Sequence, residues 1–205
     1  MKNATKHADD LKSLLKRLTK ECKPNPLAVQ DPLLALVRGA MSFDVSDNRA
    51  EEAMRVIERE FVGLNELRVA TELEVQDLLG AKYPAIERRV AMITQALNRI
   101  FEREHTLSLD RLKTISKRDA RQFLRDLPEI HPFVEAYVLM FAFGGHAFPL
   151  DDEMLAQLRE QGILDDDTAI EEGQKFVEHH LKAEECFDLY SCLRKVLWDE
   201  KKRKK

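Results

Sequence analysis

The chain has 205 residues, enough for a sizeable core, with 44% apolar and 34% charged residues but only 7 Gly and 7 Pro. So few chain breakers exclude a sandwich or barrel and point to long helices. The net charge of −4 argues against blanket coating of DNA, and 3 Cys exclude a disulfide framework and a four-thiolate metal or iron–sulfur site built from one chain.

The charge is uneven. Residues 1–23 carry 7 Lys/Arg against 3 Asp/Glu, and residues 201–205 are all basic, which leaves −13 for residues 24–200. Within that body, residues 82–125 are basic by 6 and residues 151–190 acidic by 10. Residues 1–23 lack the apolar run of a secretory signal, and nothing approaches the roughly 20 apolar residues that span a bilayer. A cytoplasmic, membrane-free protein is expected.

In chain order, residues 9–21 place Leu11, Leu14, Leu15 and Leu18 on one helical face. Pro24 and Pro26 mark a loop. Asp31-Pro32 opens a broadly apolar helix, and Ser46 or Asp47 caps the next, with Ala50, Ala53, Met54 and Ile57 inward. Short helices follow at 64–67 and 72–79, the second with Thr71 as cap. Tyr83-Pro84 starts a long helix with Ile86, Val90, Ile93, Leu97 and Ile100 on one face and Arg88, Arg89, Arg99 and Arg103 elsewhere. Two short pieces at 109–112 and 116–124 lead to Leu127-Pro128. Residues 133–143 read as a buried helix ended by Gly144-Gly145. Further helices cover 152–161, a stretch from Asp166 or Asp167 to 181, and 183–197. The fold class expected is all-α, with no strand.

Four stretches carry a resemblance. They are Asp31 to Asp47, with Ser42 and Asp47 at matching places; Leu79-Gly80 with the helix at 84–101; Leu127-Pro128-Glu129-Ile130-His131-Pro132-Phe133; and Phe148-Pro149-Leu150-Asp151. Their order and spacing resemble the helix-hairpin-helix DNA glycosylases of the endonuclease III branch, over residues 27–197. The resemblance implies a two-lobed helical body with a degenerate hairpin: a basic helix and loop at 1–26, a central lobe at about 31–135, a second lobe from about 136 joined by the N-terminal helix, and a basic tail at 198–205.

It also implies base-excision chemistry, in which a base is flipped from the duplex and a carboxylate stabilises positive charge on the sugar. Asp151 matches the essential aspartate, and it equally fits a helix N-cap. Phe133 stands where the nucleophilic lysine of bifunctional members would be, and a phenyl ring forms no Schiff base. The expectation is at most monofunctional hydrolysis, without lyase activity.

Glu129 and His131 replace the hairpin glycines, Ile130 lies between them, and a protonated His131 would offer a phosphate contact. Asp44 replaces the wedge glutamine. Ser42, Asp44, Ile130, His131, Lys201, Lys202 and Arg203 are the candidate DNA contacts. Cys186 and Cys192 are two cysteines where a cluster needs four, so no iron–sulfur cofactor is expected, and both read as half-buried helix residues. The adjacent His179 and His180 point about 100° apart and give no metal pair. The expected partner is duplex DNA, bound weakly. The alternative is an inactive helical scaffold that binds DNA or protein.

Overall fold

Several helix starts follow from caps written in the sequence. The structure, a computed structural model, describes residues 4–203, with backbone alone at 4, 200, 202 and 203. Among those residues the order is α1 (Ala4–Cys22), α2 (Pro32–Ser42), α3 (Asp47–Glu60), α4 (Leu64–Val69), α5 (Glu72–Leu79), α6 (Ile86–Glu104), a 3-10 turn (Asp110–Lys113), α7 (Lys117–Arg125), α8 (Pro132–Phe143), α9 (Asp152–Glu160), α10 (Ile170–His180) and α11 (Ala183–Arg203). No strand occurs among them, as the scarcity of breakers predicted.

Asp31 opens α2 by accepting from the amides of Leu33 and Leu34 at 3.0 Å, with Pro32 at the first helical position. Thr71 and Glu74 form a reciprocal capping box on α5. Ser116 accepts from the Asp119 amide to open α7.

Other starts differ from expectation. The helix predicted from Tyr83-Pro84 begins at Ile86, because Ala85 adopts a left-handed φ of 49°. The helix predicted from Asp166 or Asp167 begins at Ile170, because Asp165 to Thr168 closes a turn of its own. Ser46 precedes α3 but makes no side-chain cap bond.

α2 packs against α8, α3 and α6, while α4 and α5 pack on α6. α7 packs on α8, and α11 collects α1, α9 and α10. The α2–α8 contact is close because Gly39 faces Tyr137, where an added Cβ would lie 3.2 Å from the ring. α8 is apolar almost all round, and it is correspondingly buried from Phe133 to Met140. Each such fully buried aliphatic or aromatic side chain contributes about 1.5–3 kcal/mol.

Glu135, the one buried charge of that stretch, is paired with Arg121 at 2.9 Å and Arg125 at 2.7 Å. Arg121 also reaches Glu178 at 2.8 Å and so ties α7 and α8 to α10. Cys186 and Cys192, expected to be half-buried, are fully buried on the inner face of α11.

The last helix does not stop near residue 197. It continues to Arg203, and Lys201 is held by Glu153 of α9 at 2.5 Å and over the Trp198 ring at 4.8 Å. The expected free basic tail is therefore in part a helical strap across α9. The side chains of Lys202 and Arg203, and residues 204–205, lie outside the described residues. No helix among the described residues is long and apolar enough to cross a membrane.

Candidate functional site

A helix C-terminus presents carbonyls that have no partner within the helix and carry partial negative charge. At the end of α2 three buried side chains take them. Tyr83 donates its hydroxyl to the Met41 carbonyl at 2.7 Å. Arg89 donates to the carbonyls of Ala40 and Phe43 at 2.6 Å and of Pro84 at 2.7 Å. Arg194 of α11 donates to the carbonyls of Val45 at 2.6 Å and Ser42 at 3.1 Å. Both arginines are 1% exposed.

Arg89 thus sits on the buried face of α6, not away from it as its charge suggests. Burial brings its guanidinium down to about 10, still charged at neutral pH. Burial also works against the charge of Arg194, but Tyr190, Asp47 and Asp151 outweigh it and hold that group above the usual arginine range.

Asp151 is fully buried. Its Oδ1 accepts from the Met154 amide at 2.9 Å, which makes it the N-cap of α9. Its Oδ2 accepts from the Asp44 amide at 3.0 Å and pairs with Arg194 at 3.0 Å. Burial raises its carboxyl above the ordinary range, opposed by Arg194 and by the two amides. Of the two roles open in the sequence, the cap is filled. The carboxylate is buried and bonded on both oxygens, to two backbone amides and to Arg194.

Asp44 does not project as a wedge. It takes a left-handed φ of 54°, and its Oδ1 accepts from the Glu153 amide at 3.2 Å. The first turn of α9 is therefore capped twice, by Asp151 from its own chain segment and by Asp44 from the turn after α2. Burial, then the neighbouring charge of Asp151, pushes Asp44 up to about 6.

Ser42, a candidate DNA contact, is buried and donates its hydroxyl to the Arg38 carbonyl. His131 is buried too. Its Nδ1 accepts from the Phe133 amide at 3.2 Å, and its ring stacks on Phe43 at 4.6 Å with 4° between planes. Arg89 lies 3.7 Å from the same Phe43 centroid. Both groups cannot occupy one face at these distances, so Phe43 separates the imidazole from the guanidinium. Burial, with Arg88 and Arg89 nearby, pushes His131 down to about 4. His131 is thus a stacked cap of α8, uncharged at neutral pH.

Phe133 is fully buried and packs against Phe43, Tyr137 and Tyr190, filling the lysine's place with aromatic core.

The turn between α7 and α8 forms without glycine. Glu129 itself adopts the left-handed φ of 55° and is exposed, while His131 is extended and needs no glycine. Ile130 is half-buried against the core. The Ile130 amide bonds back to Leu127, but the amides of Glu129 and His131 have no acceptor among the described residues. Exposed Arg88 lies close enough to shift His131.

A cavity of about 460 Å³ lies on the other side of Arg194, walled by Phe141, Phe187 and Trp198 and by Asn25 and Asp47. Arg194 lines it; Asp151 does not.

Sequence reasoning missed Arg89, Arg194 and Tyr83. The signal was present, since Arg89 falls between Ile86 and Ile93 at helical spacing and Arg194 between Tyr190 and Leu197. A cation on an apolar stripe marks a buried charge with a dedicated partner.

Arg194→Leu should destabilise the fold by about 3–5 kcal/mol, since it leaves Asp151 buried and unpaired. Urea unfolding measures this, and a loss below about 1 kcal/mol would refute the assigned role.

Asp44→Asn keeps the acceptor for Glu153 and suits a left-handed residue. Because the folded pKa of Asp44 is raised to about 6, its contribution to stability falls as pH rises from about 4 to 6. The depressed pKa of His131 makes its contribution rise with pH from about 4 to 6.5. The two oppose one another in the wild type. The Asn variant should match wild type near pH 4 and exceed it by about 1 kcal/mol at pH 7, after allowance for solvent screening. Equal stability at both pH values would count against the raised Asp44.

No family model matches the sequence, and no curated protein matches it. The fold does have counterparts among solved structures. A Clostridium acetobutylicum 8-oxoguanine glycosylase/lyase bound to duplex DNA aligns with a TM-score of 0.73 at 16% identity, covering 97% of this chain and 71% of that one. A trapped endonuclease III–DNA covalent intermediate aligns with a TM-score of 0.72 at 14% identity, covering 91% and 84%. The H. pylori 3-methyladenine DNA glycosylase bound to 1,N6-ethenoadenine aligns with a TM-score of 0.68 at 14% identity, covering 96% and 98%. With its hairpin, its buried α8 and an aspartate heading the helix that follows, the chain has the endonuclease III-like, helix-hairpin-helix fold of the DNA glycosylases, in a form divergent in sequence.

Proposed function

We propose that the chain is a divergent glycosylase-family protein of base excision repair that engages duplex DNA, with hydrolysis of the N-glycosidic bond as the only chemistry open to it. The observation that carries the binding half is the hairpin, whose Glu129 and His131 amides are left without intramolecular acceptors. Backbone N–H groups in such a turn form a concavity for a phosphate oxygen, and Arg88 adds a nearby cation. Exposed Glu129 weakens that site by like charge, so binding is modest and salt-sensitive.

The cavity beyond Arg194 supplies the space and aromatic walls that an extruded base needs. Asp151 then bears on the chemistry in one way. An oxocarbenium-like sugar requires a carboxylate whose charge is available, and that of Asp151 is already met by Arg194 at 3.0 Å. Hydrolysis requires Arg194 to leave Asp151, against its other bonds to Ser42, Val45 and Asp47. Phe133 removes the usual Schiff-base route, which needs a lysine at its place.

The Asp151–Arg194 pair favours a second reading, in which the protein binds an unstacked nucleotide and does not cleave it. Arg194, and not Asp151, faces the cavity.

Three measurements on one set of duplexes separate these readings. With abasic duplex, no borohydride-trapped adduct and no strand cleavage are expected, and a trapped adduct would overturn the role of Phe133. Abasic duplex should bind more tightly than undamaged duplex at low salt, with affinity falling as salt rises. Glu129→Gly should tighten binding several-fold by removing the charge without disturbing the left-handed turn. Base release from lesion-bearing duplex that is lost in Asp151→Asn would select hydrolysis, and abasic-specific binding without release would select the reader. No binding at low salt, with Glu129→Gly no better, would refute both.

A further inference from the structure

At the far end of α8 from the hairpin, roughly 18 Å along a helix of this length, lies a groove of about 740 Å³. It runs between the 3-10 turn, α7 and the Gly144-Gly145 turn. Its floor is apolar, with Leu112, Ile115, Leu139 and Phe143, and Val29 stands 71% exposed at its edge. Two glycines close α8 at the edge of that floor. Gly144 takes φ 55°, and the Gly145 amide donates to the Leu139 carbonyl at 2.7 Å, where a Cβ would fall 2.9 Å from that oxygen.

The rim carries Lys117 and Arg118, both exposed, in the first turn of α7. Cations are disfavoured at that end of a helix. Neither is met by a carboxylate among the described residues, whereas Lys113 beside them is taken by Asp110 at 2.6 Å. Both charges therefore stand beside the apolar groove without an intramolecular carboxylate among the described residues.

We propose that this groove docks a partner protein through a short segment carrying an apolar side chain flanked by carboxylates. The floor takes the apolar side chain, and Lys117 and Arg118 take the carboxylates. A nucleic-acid backbone suits the place poorly, because a phosphodiester chain needs donors where this floor offers methyl groups and a phenyl ring. No groove residue belongs to the Asp44–hairpin–Asp151 site, so a docked partner leaves the hairpin free, and the proposal stands whether or not the chain binds DNA.

The test is a display library of random twelve-residue peptides, panned against the full chain and counter-panned against Val29→Asp/Lys117→Glu/Arg118→Glu. All three positions are exposed and Glu suits the first turn of a helix, so the variant should keep the wild-type circular dichroism and melt no lower than the wild type. Enriched peptides should pair Leu, Ile or Phe with at least two Asp or Glu. Their affinity, read by fluorescence anisotropy, should fall about tenfold or more in the variant and survive saturation with duplex. No enrichment, enriched peptides without acidic residues, or equal affinity for both proteins would overturn the proposal. So would a variant that loses duplex binding while keeping peptide binding, since the rim would then be a nucleic-acid surface.

Discussion

The end of one helix organises this protein. α2 finishes in the interior, where its last carbonyls cannot reach water, and a buried unpaired carbonyl costs as much as a lost hydrogen bond. Two guanidiniums and a phenol supply the donors, from α6, from α11 and from the turn before α6. Each arginine brings a full charge to the negative end of the helix, so the carbonyls that need donors also stabilise the cations. Asp151 then completes the neutralisation of Arg194 and caps α9 with its other oxygen. One polar network thereby fixes the relative positions of α2, α6, α9 and α11, the elements that frame the site.

The packing beside that network accounts for the residues that stand where the resemblance implied other side chains. Where the fold's bifunctional members are expected to hold a lysine, this chain builds aromatic core around Phe133, and the imidazole next to it serves as a stacked, neutral cap. Each substitution serves packing. The hairpin is the exception, because Glu129 accepts a strained left-handed backbone and gains no packing by it. Asp44, Ala85 and Glu129, three of the five left-handed residues other than glycine among the described residues, lie in the three turns around the site. Such strain persists where surrounding structure dictates the turn.

Much of the fold was legible because it rests on local signals. Asp31-Pro32, Thr71 with Glu74 and Ser116 announce helix starts, and apolar spacing announces buried faces. The missed starts of α6 and α10 depended on a left-handed alanine and a closed turn, neither of which has a residue signature of its own. The site was legible as positions but not as roles. Asp151, Asp44, His131 and Phe133 do come together, yet whether a carboxylate faces a cavity or a guanidinium is decided by which distant helix packs on it. Arg194 lies beyond the reach of any local pattern, although its place on an apolar stripe advertised burial.

That distance has a consequence for how the chain is made. The bonds from Arg194 to Ser42 and Val45 span 152 and 149 residues of the 205. Contacts of such separation form late, because a large loop must close before they reward it. During synthesis the carbonyl end of α2 has left the ribosome long before residue 194 is added, a matter of roughly ten seconds or more at ordinary elongation rates. Until then α2 has only Arg89 and Tyr83 as buried donors, and Asp151 has no cation. Among the described helices α11 is thus the last to join, and without it Asp151 has no cation and α1, α9 and α10 lose the helix they pack on.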